Sequence, residues 1–151
     1  MEAMMEGSAS YDSDFYAWAY QQSALLRSGN LAAIDVENIA EEIESMGRSE
    51  KRELVNRLVV LLTHLLKWQF QPERRGASWR TIISVQRVAI TNHMRDNPSL
   101  KSRLPDVITD AYRMVLLVVI GESGLPKETF PGTCPWSFTE IVNETFWPGT
   151  P

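Results

Sequence analysis

Residues 35–71 read DVENIAEEIESMGRSEKRELVNRLVVLLTHLLKWQFQ. Val36, Ile39, Ile43, Met46, Glu50, Leu54, Leu58, Leu61, Leu65 and Trp68 follow one another at spacings of three or four, and all but Glu50 are apolar. That is the period of one face of an α-helix. Sustained over this stretch it predicts one helix of roughly ten turns. Gly47 lowers helix propensity without shifting the phase of the pattern, so the reading is one helix, bent at Gly47 if anywhere, rather than two helices in a hairpin. Pro72 stops it, because the residue before a proline is pushed out of the helical region. Such a spine implies an all-α, up-and-down bundle.

The rest of the chain supplies the other helices. Asp12 is a suitable N-cap for a first helix, Ser13 to Ser28, closed by Gly29. Its start is rich in aromatics (Tyr11, Phe15, Tyr16, Trp18, Tyr20), which at helical spacing read as core before they read as a binding surface. Asp35 caps the long second helix. Ser78 caps a third, Trp79 to about Arg95, ended by Asn97-Pro98. Pro105 fits the first turn of a fourth, closed by Gly121 and Gly124. Ser137-Phe138-Thr139-Glu140 is a capping box opening a short last helix to Phe146. The expected organisation is a flexible N-terminus, 1–10, and a single helical-bundle domain, 11–148, with four main helices.

At 151 residues the chain is long enough for one domain with a substantial core. Its N-terminus has neither a basic region nor an apolar run, so it does not read as a targeting segment. The longest apolar runs, Leu58–Leu66 and Met114–Ile120, fall well short of the roughly 20 residues needed to cross a bilayer. Cys134 stands alone, which excludes an internal disulfide and a cysteine-rich zinc site. The expectation is a cytoplasmic protein with no membrane association. Net charge is −4 but unevenly spread. Residues 1–50 carry ten Asp/Glu against Arg27 and Arg48, while 51–103 carry eleven Lys/Arg against Glu53, Glu73 and Asp96. A basic middle segment can attract an anion. In a bundle it serves more simply to neutralise an acidic neighbour.

Four groups of residues carry candidate chemistry. Glu37, Glu41 and Glu44 share one helical face and could ligate a divalent cation; Arg48 continues that face, so surface ion pairs are the plainer reading. Glu50 sits on the apolar seam and needs a partner or a wet bend, because burying a lone carboxylate is costly; Glu42 lies off the acidic row. His64 lies in a stretch apolar nearly all round, with Lys67 and Trp68 within a turn, and reads as a neutral, hydrogen-bonded core histidine before a ligand or general base. About 30 Å of helix separates it from Glu44, which argues against a shared centre. Arg74, Arg75, Arg80 and Arg87, with Trp68 and Trp79, mix cations and aromatics as single-strand binders do. The cluster is small in an acidic chain, so nucleic acid ranks low as a partner. Cys134, before a proline, reads as structural.

The runs Tyr11–Trp18 (YDSDFYAW) and Glu37–Glu50 (ENIAEEIESMGRSE), with His64–Trp68 (HLLKW), Ser78-Trp79, Gln86-Arg87, Pro98-Ser99-Leu100 and Cys134-Pro135-Trp136, resemble a bacterial family, the domain of unknown function 29 family. The resemblance runs from Tyr11 to about Pro148. It implies a compact all-helical bundle and no assigned activity. It marks Asn38, Glu42, Glu50, His64, Lys67, Trp68, Trp79 and Arg87 as matching the family pattern, without separating packing from function.

The expected function is a non-enzymatic protein-interaction module, with a protein partner or a second copy of the chain. The alternative is a metal-assisted hydrolase or nuclease using glutamates of the 37–50 segment, joined by His64 and Lys67 only if folding brings them close. No cofactor is predicted; a divalent metal belongs to the alternative.

Overall fold

The computed structural model describes residues 10–149. They are all-α: α1 (Phe15–Arg27), α2 (Val36–Phe70), α3 (Ala77–Asp96), α4 (Leu104–Ser123) and the short α5 (Phe138–Val142), with short 3-10 segments at Pro72–Arg74, Pro98–Arg103 and Lys127–Thr129, and no strand among the described residues. The segment expected to be a flexible N-terminus lies, apart from Ser10, outside the described residues.

Helix α2 runs without a break through Gly47 for 35 residues. One glycine in a helix interior costs about 1 kcal/mol. Its own surface pairs offset part of that: Arg48 reaches Glu41 at 2.6 Å and Glu44 at 3.9 Å, and Arg57 reaches Glu53 at 3.2 Å. Most ends fall within two residues of the sequence reading, and the differences have local causes. Asp14 rather than Asp12 caps α1, accepting a bond from the Ala17 amide at 3.1 Å. Gly76 precedes α3, leaving Ser78 in its first turn. Gly121 lies inside α4, and Gly124, at φ 70, ends it. The capping box at Ser137 and Glu140 forms, but α5 stops at Val142 rather than Phe146, because Asn143 turns the chain out.

The chain divides into two compact units, 1–48 and 49–151. In the first, a polar network ties α1 to the start of α2. The Trp18 indole donates to Asp35 Oδ2 at 2.9 Å, the Asn38 amide donates to the same oxygen at 2.9 Å, and the Asp35 backbone N–H donates to Gln22 Oε1 at 2.7 Å. These donors, Asn38 first and then Trp18, hold the Asp35 carboxyl below its ordinary range.

The second unit holds the main core. Leu54, Leu58, Leu61, Leu62, Leu65 and Leu66 of α2 are fully buried, with Ile83 and Ile90 of α3, Val107, Ala111, Val115 and Val119 of α4, and Ile141 of α5. Each large side chain buried this way contributes about 1.5–3 kcal/mol. Arg87 sits among them at 1% exposure. It donates to the carbonyl of Ile141 in the last turn of α5 at 2.8 Å and to that of Phe146, beyond the helix, at 2.6 Å, and so clasps the C-terminal segment.

Candidate functional site

Two places in the described residues combine exposure with chemistry. The first is an apolar cleft in the N-terminal unit. Helix α1 lays Trp18 and Gln22 against α2, but both helices carry further apolar side chains that no described residue of the unit covers. Phe15 is 48% exposed, Ile43 58% and Met46 61%. With Trp18, Leu26 and Ile39 they line a cleft of about 410 Å3. Tyr11 packs edge-on against Phe15 and Trp18, with centroids 5.5 and 4.8 Å away. Burial and the neighbouring Glu42 carboxylate push its hydroxyl upward. Glu42 lies on the cleft wall, and Glu37, Glu41 and Glu44 are exposed on the same helix.

The second is a cluster of two carboxylates and an imidazole in the C-terminal unit. Glu50 and Glu53, three apart, share a face of α2. His93 comes from the last turn of α3 and is nine-tenths buried. Its Nε2 lies 2.7 Å from the Glu50 carbonyl oxygen and 3.6 Å from Glu50 Oε2; its Nδ1 lies 3.2 Å from Glu53 Oε2. One ligand atom from each of the three residues falls within 4.8 Å of the others. Arg57 donates to Glu53 Oε2 at 3.2 Å and to Gln86 at 3.4 Å. Beside the cluster a shallow hollow of about 450 Å3 is lined by Ser49, Arg52, Asn56, Arg57 and Gln86.

Among the described residues this is the one group of three or more Asp, Glu, His or Cys close enough to hold a metal. Glu37, Glu41 and Glu44, the row singled out by spacing, do not form such a group; Glu41 and Glu44 pair with Arg48 instead. Nor does His64 join one. It is half-buried, with Nδ1 2.7 Å from the Val60 carbonyl one turn earlier, and burial holds its pKa below the ordinary histidine value, so it is neutral and donates to that carbonyl. Lys67 pairs with Glu122 and lies 5.8 Å from the Trp79 ring centroid. Glu50 is the one catalytic candidate that the structure places in the cluster. Its partners Glu53 and His93 were missed, although the signal was present: Ile83, Arg87, Ile90 and His93 recur at three and four along α3, so both polar members lie on its apolar seam.

Three of the four arginines expected to bind lie over tryptophan rings. Arg75 lies 5.2 Å from the Trp68 centroid and donates to the Trp68 carbonyl at 2.6 Å. Arg80 lies 5.1 Å from Trp68 and 5.2 Å from Trp147, and Arg87 lies 5.3 Å from Trp147. Arg74 is exposed in the 3-10 turn after α2. Such cation–π contacts are worth about 0.5–2 kcal/mol each. Cys134 is half-buried, its thiol donating to the Trp136 carbonyl at 3.5 Å, and burial pushes its pKa upward, away from reactivity.

The fold and these sites define an all-helical protein of two compact units, one with an open apolar cleft and one with a carboxylate–imidazole cluster. The chain belongs to the family described as domain of unknown function DUF29, whose model matches residues 10–147. No curated protein and no solved structure matches it. No described helix is long and apolar enough to cross a membrane.

Proposed function

We propose that this is a protein-docking module whose N-terminal cleft receives a basic amphipathic helix from another protein. One observation carries the reading: the first half of the α2 seam stays exposed at Val36, Ile43 and Met46, and the last two of these line an apolar cleft. Exposed large apolar side chains that adjoin in a groove are a recurrent mark of an interaction surface, and a helix laid in such a groove anchors at i, i+3 and i+4. Charge selects the occupant. Residues 10–48 carry seven Asp/Glu against Arg27 and Arg48, so a helix with Lys or Arg flanking its apolar stripe is the complementary partner. A cytoplasmic setting suits a chain with a single cysteine.

The test uses two designed helical peptides with one apolar face, flanked by lysines in the first and by glutamates in the second. Fluorescence anisotropy should show the lysine peptide binding, more weakly as salt rises, and no binding to Ile43→Asp or Met46→Asp. Equal affinity for both peptides, or none for either by a chain that sediments as a monomer, would refute the reading. A dimer abolished by Ile43→Asp would make a second copy the occupant instead.

A further inference from the structure

We infer that Glu50, Glu53 and His93 form a binding site for a divalent transition-metal ion, Zn2+ or Mn2+, in the C-terminal unit. The inference is independent of the docking cleft. It rests first on proximity, since one donor atom from each residue lies within 4.8 Å of the other two. Metal–ligand bonds of about 2.1 Å place adjacent ligands on one ion roughly 3–3.5 Å apart. His93 Nδ1 and Glu53 Oε2 already stand at 3.2 Å; Glu50 Oε2 lies 3.6 Å from the other ring nitrogen, Nε2, so this half-exposed carboxylate would turn toward Nδ1 to complete the set.

His93 is only 7% exposed, and both its nitrogens face acceptors. Nε2 at 2.7 Å from the Glu50 carbonyl is a hydrogen bond only if Nε2 carries a proton. A neutral ring then has a lone pair at Nδ1, and the atom facing it is a carboxylate oxygen. At 3.2 Å these two atoms share a positive centre, either a second ring proton or a bound cation. A metal ion can take the place of that proton. The Nε2–H bond to a backbone carbonyl is also the orienting bond that metal-ligating histidines make with their second nitrogen. Arg57, donating to Glu53 Oε2, would steady that carboxylate in the same manner.

The donor set narrows the ion. One imidazole and two carboxylates suit Zn2+ or Mn2+ better than Ca2+ or Mg2+, which favour oxygen alone. Glu50 and Glu53 are both about half exposed, so an ion here would keep open positions toward water. Arg52 and Arg57 line the adjoining hollow and would favour an anionic group on those positions.

The experiment strips the full chain with chelator and titrates Zn2+, and separately Mn2+, by calorimetry, with histidine-ring 15N NMR in parallel. One equivalent of at least one ion should bind, with the His93 ring nitrogen shifted. Glu50→Gln and Glu53→Gln, half-exposed sites whose variants should keep the apo fold by circular dichroism, should each weaken binding beyond the about 10–100-fold typical of an outer-shell partner. Glu37→Gln and Glu44→Gln should leave it unchanged. His93→Gln should abolish it, and if that variant fails to fold the two glutamine variants still decide. Absence of binding by either ion would overturn the inference. So would unaltered binding in Glu50→Gln and Glu53→Gln, or a His93 ring that stays doubly protonated in excess metal, which would make the cluster a plain imidazolium–carboxylate pair.

Discussion

The two halves of α2 obey one sequence rule and meet opposite fates. From Leu54 to Trp68 every seam residue is buried, at 5% exposure or less. From Val36 to Met46 the same three-four rhythm of apolar residues continues, yet Val36, Ile43 and Met46 are each more than half exposed. The C-terminal half lies among α3, α4 and the tail, which supply apolar faces on several sides. Among the described residues of its own unit the N-terminal half has only α1 beside it, a helix of 13 residues, and one short helix cannot surround another. Amphipathicity states which residues share a face. What that face meets depends on how many other faces the fold brings to it.

The largest test of this contrast is a pair of truncations. Leu58→Ala should destabilise the C-terminal unit by about 2–5 kcal/mol, because a fully buried leucine leaves a cavity, whereas Ile43→Ala should stay within about 0.5 kcal/mol. Urea unfolding followed by circular dichroism reads both. Equal losses would show that the N-terminal seam is packed in solution. Next in size is Arg87→Ala. Each bond from the guanidinium to a carbonyl is worth about 1.5–3 kcal/mol, and both tether the C-terminal segment, so proteolysis should open the chain near Ile141–Phe146 before the core yields. Retained protection there would contradict the clasp.

Gly47 gives a smaller effect of opposite sign. It lies inside α2, and a Cβ there meets nothing within 4 Å. Gly47→Ala should therefore stabilise the helix by about 0.4–1 kcal/mol. A loss of stability would mean that the helix needs to bend at this point. The smallest expected effect is a pH dependence confined to the N-terminal unit. The Asp35 carboxyl is held below its ordinary value by bonds from Asn38 and Trp18, so the folded state favours its charged form. Its contribution is complete above the ordinary aspartate range and is lost as pH falls through the lower folded value. The Trp18 indole NMR signal should follow that loss, and Asp35→Asn should flatten it. His64 acts in the same direction at higher pH in the C-terminal unit. Burial lowers its pKa, so stability falls as acid protonates the unfolded ring first, between the ordinary histidine value and the lower folded one.

Much of the molecule was legible in the residues. The seam located α2 and its passage through Gly47, caps and prolines marked the other helices to within a few residues, and the ordered motifs identified the family. The candidate metal cluster was legible only in part. Glu50 stood out because it interrupts an apolar row. His93 lies on an apolar seam of α3, but that seam is shorter than the apolar stretch around His64, so its spacing alone is a weaker signal. Glu37, Glu41 and Glu44 share a face as their spacing requires, but one face of one helix supplies ligands from one side only. A metal needs donors converging from separate elements, and spacing along a single helix cannot show convergence.

Local physics, then, is what the chain determined by itself: helix periods, caps, breaks, the apolar stripes and the family they belong to. Those depend on interactions within a few turns, which a single sequence records directly. Tertiary structure alone decided that Arg87 would be buried under the C-terminal carbonyls, that His93 would meet Glu50 and Glu53, and that half of one apolar stripe would be left open. Each of those depends on residues tens of positions apart, and their meeting is set by how the helices pack rather than by the pattern of any one of them.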